Sequence, residues 1–239
     1  MTHRSFSATH AGARRTHNED NFVDRSDLGL WAVADGAGGP EAGEVASAMI
    51  RDALEAVPPH LGAGQLLAEA RGRLLDVHAA LLDEAAQRGP GVMMASTVAI
   101  LLVRDSFFAA LWAGDSRIYL LRGDTLSQLT RDHSFVQALV DSGELTPEQA
   151  EAHPQANIIT RAIGAGEPDL ALDKVTGSVA PSDRFLLCSD GLSKTLSEAE
   201  IAGLLGAPAG VSPADLLINA ALARQVSDNV TAVVVEVGG

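Results

Sequence analysis

The chain is poor in the residues that mark secreted, membrane-bound or nucleic-acid-binding proteins. It holds one cysteine, Cys188, among 239 residues, so no disulfide can form within it and a reducing compartment is expected. Aromatic residues make up only 4%, which leaves leucine, valine and alanine to build the core of a sequence that is 46% apolar. Positive charge is scarce: 17 Lys and Arg stand against 31 Asp and Glu, a formal net charge of -14. A field of that sign repels phosphate backbones and anionic headgroups, which argues against nucleic-acid and membrane partners. No stretch approaches the ~20 apolar residues that a membrane span needs. The segment Met1 to Phe6 lacks the apolar run of a signal peptide. A soluble, cytoplasmic protein is the expectation. An acidic chain that handles phosphorylated substrates would need local positive charge, from metal ions or arginine, where they bind.

The length suits one large domain or two small ones, and with no repeat, low-complexity block or convincing linker it reads as a single domain, residues 1–239. Leu28 to Ala34 is an apolar run ending in Asp-Gly, a buried strand stopped by a turn. Val45, Met49, Ala53 and Val57 recur at helical spacing until Pro58-Pro59. A second helix is expected over Gln65 to Gln87, with Leu67, Ala70, Leu74, Val77, Leu81 and Ala85 as its apolar stripe. Ser96 to Val103, Ser106 to Ala113, Arg117 to Leu121 and Thr125 to Leu129 are short β-rich runs separated by turn residues, and they read as one antiparallel meander. His133 to Ser142 and Pro147 to Ala152 are helical. Arg184 to Cys188 is a strand, Glu198 to Leu205 and Pro213 to Arg224 are helices, and Val230 to Val237 is a closing strand. Helices between runs of antiparallel strands favour α+β layers over a doubly wound parallel sheet.

Five aspartates stand at the edges of these runs: Asp20, Asp35, Asp115, Asp190 and Asp228. Aspartate favours turns, so position alone does not make any of them a ligand. Carboxylates that converge on one rim would repel one another and raise each other's pKa unless cations lay between them. All-oxygen ligand sets select hard divalent ions such as Mg²⁺ or Mn²⁺. Cys188 lies inside a strand and reads as core. His133 reads as a structural hydrogen-bonding residue and His17 as solvated. No Walker, dinucleotide, Gly-x-Ser-x-Gly or zinc-spaced motif is present.

The flanking residues carry more. Arg15-Thr16-His17-Asn18-Glu19-Asp20, Ala34-Asp35-Gly36-Ala37-Gly38-Gly39, Ser96-Thr97, Ala113-Gly114-Asp115-Ser116-Arg117, Leu129 to Ser134, Ser189-Asp190-Gly191-Leu192 and Ser227-Asp228-Asn229-Val230-Thr231 follow one another in order. Together they resemble the motifs of the PP2C (PPM) family of metal-dependent protein serine/threonine phosphatases, from about residue 10 to residue 237. The resemblance implies an αββα sandwich of two antiparallel β-sheets flanked by helices. It implies hydrolysis of phosphoserine and phosphothreonine by a water activated between two Mn²⁺ or Mg²⁺ ions, with a third, weaker ion. Asp35 would bridge two ions as the central catalytic ligand, and the Gly36 carbonyl would bind one of them. Asp190 and Asp228 would complete the other. Asp20 and Glu19 would act mostly through water, Asp115 would share the third ion with Asp190, and Asn229 would support the ligands from behind. Arg15 would be catalytic by gripping the substrate phosphate, bidentately as its fork allows.

Two positions depart from the family pattern. Ala37 stands where animal members carry a histidine proposed as general acid, an absence usual in bacterial members, and Ala95 stands where glycine is usual. The overall look is that of small stand-alone bacterial members that reverse a Ser/Thr kinase. Leu129 to Gly143 and His153 to Gly164 are similar to a type VI secretion-associated subgroup. The expected partners are phosphorylated proteins and a Ser/Thr kinase, with no nucleic acid and no membrane, and a monomer is expected. The irregular stretch Gly143 to Gly166 is the expected gate for protein substrates. Two alternatives keep the same residues: a hydrolase of small phosphate esters, and a catalytically silent module that binds phosphoproteins.

Overall fold

The structure is a computed structural model that describes residues 2–39, 41–208 and 210–238. Its runs of apolar residues are strands covered on both faces. One sheet holds β1 (His3–His10), β7 (Arg117–Arg122), β8 (Thr125–Gln128), β10 (Arg184–Cys188) and β11 (Val230–Val237), in the order β1-β11-β10-β7-β8. The other holds β2 (Asp20–Arg25), β3 (Leu30–Ala37), β5 (Val98–Arg104), β6 (Phe107–Ala113) and β9 (Asp173–Ser178), in the order β2-β3-β5-β6-β9, with the short β4 (Ala95–Ser96) paired to β3. Every pairing is antiparallel.

The two-residue period assigns the faces. On β3, Trp31 and Val33 join Phe185, Leu187, Val233 and Val235 of the opposite sheet in a core between the sheets. Leu30, Ala32 and Ala34 point the other way, onto α1 (Ala42–Glu55) and α2 (Ala63–Arg88), against Ile50, Leu54, Leu66 and Leu74. On β11, Val230, Ala232 and Val234 pack outward against α5 (Asp190–Ser193), α6 (Glu198–Leu205) and α7 (Pro213–Ala223), through Leu192, Ile201 and Leu217. Each buried valine, leucine, isoleucine or phenylalanine among them contributes about 1.5–3 kcal/mol. The layers are therefore helices, sheet, sheet, helices: the expected αββα sandwich. No helix among the described residues is long and apolar enough to cross a membrane.

Three expectations are corrected. The four β-rich runs are not one meander: β5-β6 is a hairpin of one sheet and β7-β8 a hairpin of the other. Between them the chain changes sheets at Gly114-Asp115-Ser116. Gly114 has φ +112°, and a Cβ there would lie 2.5 Å from the Thr97 side chain, so only glycine fits the crossing. Secondly, β3 continues through Asp35 to Ala37, because Gly36 and Ala37 pair with Ser96 and Ala95. Thirdly, β1 and β9 had no apolar run to reveal them. His3–His10 is mostly polar, and Asp173–Ser178 has Val175 as its one large apolar residue. Both lie at sheet edges, where one unpaired side relaxes the demand for hydrophobic residues. The remaining elements are α3 (Phe135–Asp141), capped by Ser134, and α4 (Pro147–Glu151), opened by a Thr146/Gln149 capping box.

Candidate metal centre and phosphate site

One rim of the sandwich gathers the acidic residues. Asp20 opens β2 and stands directly across from Asp35 on β3. Asp115 lies in the crossing after β6, Asp190 begins α5 just beyond the end of β10, and Asp228 precedes β11. All four are close enough to Asp35 to raise its pKa by repulsion, on top of the larger effect of burial. The main chain of Asp35 is pinned: its carbonyl accepts from Thr97 N–H at 2.9 Å and from the Ser96 hydroxyl at 3.0 Å. At Gly36 the backbone approaches so closely that a Cβ would lie 2.2 Å from the Gly43 carbonyl of α1. Asp-Gly here is thus a strand residue followed by a packing contact, not a turn.

Asp20 is 5% exposed. Its Oδ2 accepts from the Ser189 and Thr231 hydroxyls, each at 2.7 Å, while its Oδ1 has no partner. Burial pushes the carboxyl up to about 7, with repulsion from Asp190 and Asp228 adding to it. Asp115 is 3% exposed, and its Oδ1 is likewise buried without a partner. Burial and then the charge of Asp190 push it up to about 6. A buried acceptor left bare costs about 1–3 kcal/mol, and here two such oxygens belong to aspartates that both feel the charge of Asp190 and both repel Asp35. Hard divalent cations fit that donor chemistry. Among the described residues no three His, Cys, Asp or Glu side chains close on one point as a finished cage. Two basic side chains hold three of the carboxylates.

The first is Arg15, which meets Asp228 with both arms of its fork, Nε to Oδ1 at 3.0 Å and an η-nitrogen to Oδ2 at 3.0 Å. That hydrogen bonding, and the charge of Asp228, raise the Arg15 pKa further. The second, Lys194, was not anticipated. Its ammonium donates to Asp190 Oδ2 at 2.6 Å, Asp115 Oδ2 at 3.2 Å and Asn157 Oδ1 at 3.0 Å. Burial alone would lower its pKa, but Asp190 and Asp115 raise it above its ordinary value. The signal was present in the spacing: Lys194 stands four residues after Asp190, one turn of helix away on the same face.

Glu19 and Asn229 support the rim. Asn229 accepts from Glu19 N–H at 2.9 Å and donates to the Ala11 and His17 carbonyls at 3.0 and 2.9 Å, so it staples the Arg15 loop to β11. Burial raises the Glu19 pKa. His133 accepts from Gly114 N–H at 3.1 Å and faces Asp173 at 3.2 Å, with its ring stacked on Trp112. It is held as a brace for the crossing that carries Asp115. Cys188 is fully buried, and burial pushes its thiol up to about 12, which leaves it unreactive.

The pattern of the protein phosphatase 2C family matches residues 9–206. The chain belongs to that family. It is 38% identical over 95% of its length to the serine/threonine protein phosphatase PstP of Mycobacterium tuberculosis, and spans 43% of that longer protein. The serine/threonine phosphatase stp of Listeria welshimeri is 35% identical, with 95% of this chain and 93% of the relative aligned. PppA, described as a key regulatory component of the type VI secretion system in Pseudomonas aeruginosa, superposes with a TM-score of 0.91 at 40% identity over 98% of this chain and 97% of its own. The catalytic domain of PstP in complex with two manganese ions superposes with a TM-score of 0.88 at 35% identity, over 99% of each chain. The protein phosphatase 2C fold is thus present over nearly the full length.

Proposed function

We propose that the chain is a metal-dependent protein serine/threonine phosphatase, folded as one domain over residues 1–239. The observation that carries the reading is the pair of buried, unpartnered carboxylate oxygens, Asp20 Oδ1 and Asp115 Oδ1, on a rim where Asp20, Asp115, Asp190 and Asp228 all act on Asp35. Asp35, Asp20, Asp190, Asp228 and the Gly36 carbonyl would hold two ions, Mn²⁺ or Mg²⁺; the two-manganese complex of PstP favours the first. Bound there, the ions would supply charge neutralisation and an activated water for in-line attack on a phosphomonoester. The chain's own residues do the rest. Arg15 is 57% exposed beside the rim, so a phosphate can compete with Asp228 for the N–H groups of its fork. Asn229 keeps that arginine in place through the loop. Ala37 offers no proton, and His133 is committed to Gly114 and Asp173, so neither serves as general acid.

The substrate class follows from the likeness to PstP, stp and PppA, each named or described as a phosphatase or a regulator. Phosphoserine and phosphothreonine on proteins, placed there by a Ser/Thr kinase, are the proposed targets, in a bacterial, cytoplasmic signalling setting. The likeness to PppA supports a place in type VI secretion control. The segment from Gly143 to Gly166, which carries α4 and Asn157, would gate access, and removing Pro147 to Gln155 should then alter phosphoprotein turnover.

The test is hydrolysis of a phosphothreonine peptide with Mn²⁺, with EDTA, and in Asp35→Asn and Asp190→Asn. Turnover that needs metal and collapses in both variants supports the reading. Turnover of small phosphate esters alone would favour a metabolite hydrolase. A metal-loaded protein that binds the peptide without cleaving it would be the silent module.

A further inference from the structure

The chain has two lysines, Lys174 and Lys194, against 15 arginines. Lys174 is an exposed residue of the edge strand β9. Lys194 is placed between two acidic residues of the candidate centre. An ammonium has three N–H donors, and those of Lys194 have three protein acceptors: Asp190 Oδ2, Asp115 Oδ2 and Asn157 Oδ1, at 2.6, 3.2 and 3.0 Å. It therefore needs no water to complete its shell. Asp115, at 3% exposure, has no other ion-pair partner among the described residues.

We propose that Lys194 is a built-in cation: its ammonium takes the place, between Asp115 and Asp190, that the family resemblance assigns to a third, weaker metal ion, and it ties the Asn157 segment to the centre. The inference rests on the two-ion reading above. Its physical basis is local. Two carboxylates that share a small ion must release any ammonium lying between them, because both cannot occupy one space. A covalently attached charge is always present at the site, so a weakly held ion from solution must compete with a replacement whose effective concentration is fixed by its short tether and does not fall on dilution. The lysine is also anchored where it is needed, since Lys194 N–H closes the turn onto the Asp190 carbonyl at 2.8 Å. The consequence for the chain is that Asn157 is docked at the centre through a residue of the protein, whatever the metal concentration.

The experiment is a Mn²⁺ titration of the metal-stripped full chain, read by electron paramagnetic resonance of free Mn²⁺. Two bound ions in the natural chain, rising to three in Lys194→Ala and returning to two in Lys194→Ala/Asp115→Asn, is the expected result. Amide exchange around Asn157 should quicken in Lys194→Ala, and Lys194→Arg should keep two ions. Three ions in the natural chain, or an unchanged count in a folded Lys194→Ala, would overturn the proposal. No Mn²⁺ binding at all would overturn the two-ion reading and this one with it. A second measurement needs no variant. Acylation of the two lysines, read by mass spectrometry with Lys174 as internal reference, should leave Lys194 protected at saturating Mn²⁺. Labelling of Lys194 that rises several-fold on adding Mn²⁺ would mean that metal expels the ammonium, and the proposal would fail.

Discussion

The strands β7 and β10 run antiparallel side by side, and near each end of the pair stands a buried aspartate, the two treated in opposite ways. At one end Asp183, 1% exposed, accepts both arms of Arg122 at 2.8 and 2.7 Å and Ala180 N–H at 2.8 Å. At the other, beside the end of β10, Asp20 is 5% exposed and keeps one oxygen bare. The first carboxylate is neutralised by the chain and serves the fold. The second is desolvated and left short of positive charge, a cost that a folded protein bears only where something else completes the site. The two arginine forks differ in the same sense. Arg122 closes on an aspartate shielded from water, whereas both members of the Arg15–Asp228 pair face solvent at 57% and 43%.

The largest effect expected from this contrast is on turnover. Asp35→Asn removes the central ligand and should lower kcat by ~10³-fold or more, the equivalent of several kcal/mol of transition-state stabilisation, while the EDTA-treated protein keeps or gains thermal stability. Loss of stability in the metal-free variant would place Asp35 with the structural aspartates. Next, Arg122→Ala strands a buried charge and should cost about 3 kcal/mol in denaturant unfolding, with metal-dependent turnover retained. Arg15→Ala should do the reverse: about 10²-fold lower kcat/KM toward phosphopeptide, partial recovery with Arg15→Lys, and a stability change below ~1 kcal/mol because the pair is exposed.

The pH dependence separates the two ends further. Asp20 and Asp115 hold their protons to about 7 and about 6 in the folded protein, because burial disfavours their charged forms, whereas in the unfolded chain they ionise near ~4. Between those values the folded state binds more protons than the unfolded one, so stability falls as pH rises, and it levels off above both folded values. The Tm of metal-stripped protein should therefore decline from pH 5 to pH 7.5, on the order of 1–3 kcal/mol in unfolding free energy, and Mn²⁺ should abolish the decline. Asp20→Asn should flatten the same curve without metal. A flat curve for the natural chain would mean that these carboxyls are not desolvated as the geometry requires. Smallest of all, Cys188→Ala should leave metal-dependent turnover unchanged, since its thiol is buried and unreactive, and should change stability by about 1 kcal/mol.

Much of this was legible in the residues. Period and punctuation located Gln65 to Gln87 as a helix, found at Ala63–Arg88, and Val230 to Val237 as a strand with matching bounds. Both are long or strongly patterned, so local preference and burial agree. The aspartates were legible through their neighbours, because the flanking residues resemble family motifs in order, although Asp35-Gly36 reads locally as a turn and is in fact part of β3.

What the sequence by itself determined was therefore the inventory: which segments bury a face and which acidic residues stand at strand ends. Tertiary structure alone decided the partners. The sheet switch at Gly114 divides four consecutive strands between two layers, because the Thr97 side chain leaves no space there for a Cβ. Edge strands β1 and β9 exist through pairing with neighbours far along the chain, which no local pattern records. The charge balance of the rim is tertiary as well. Whether an aspartate meets an arginine, a lysine or nothing depends on which loops converge, and Coulomb energy is set by distance in space and by burial, not by distance along the chain.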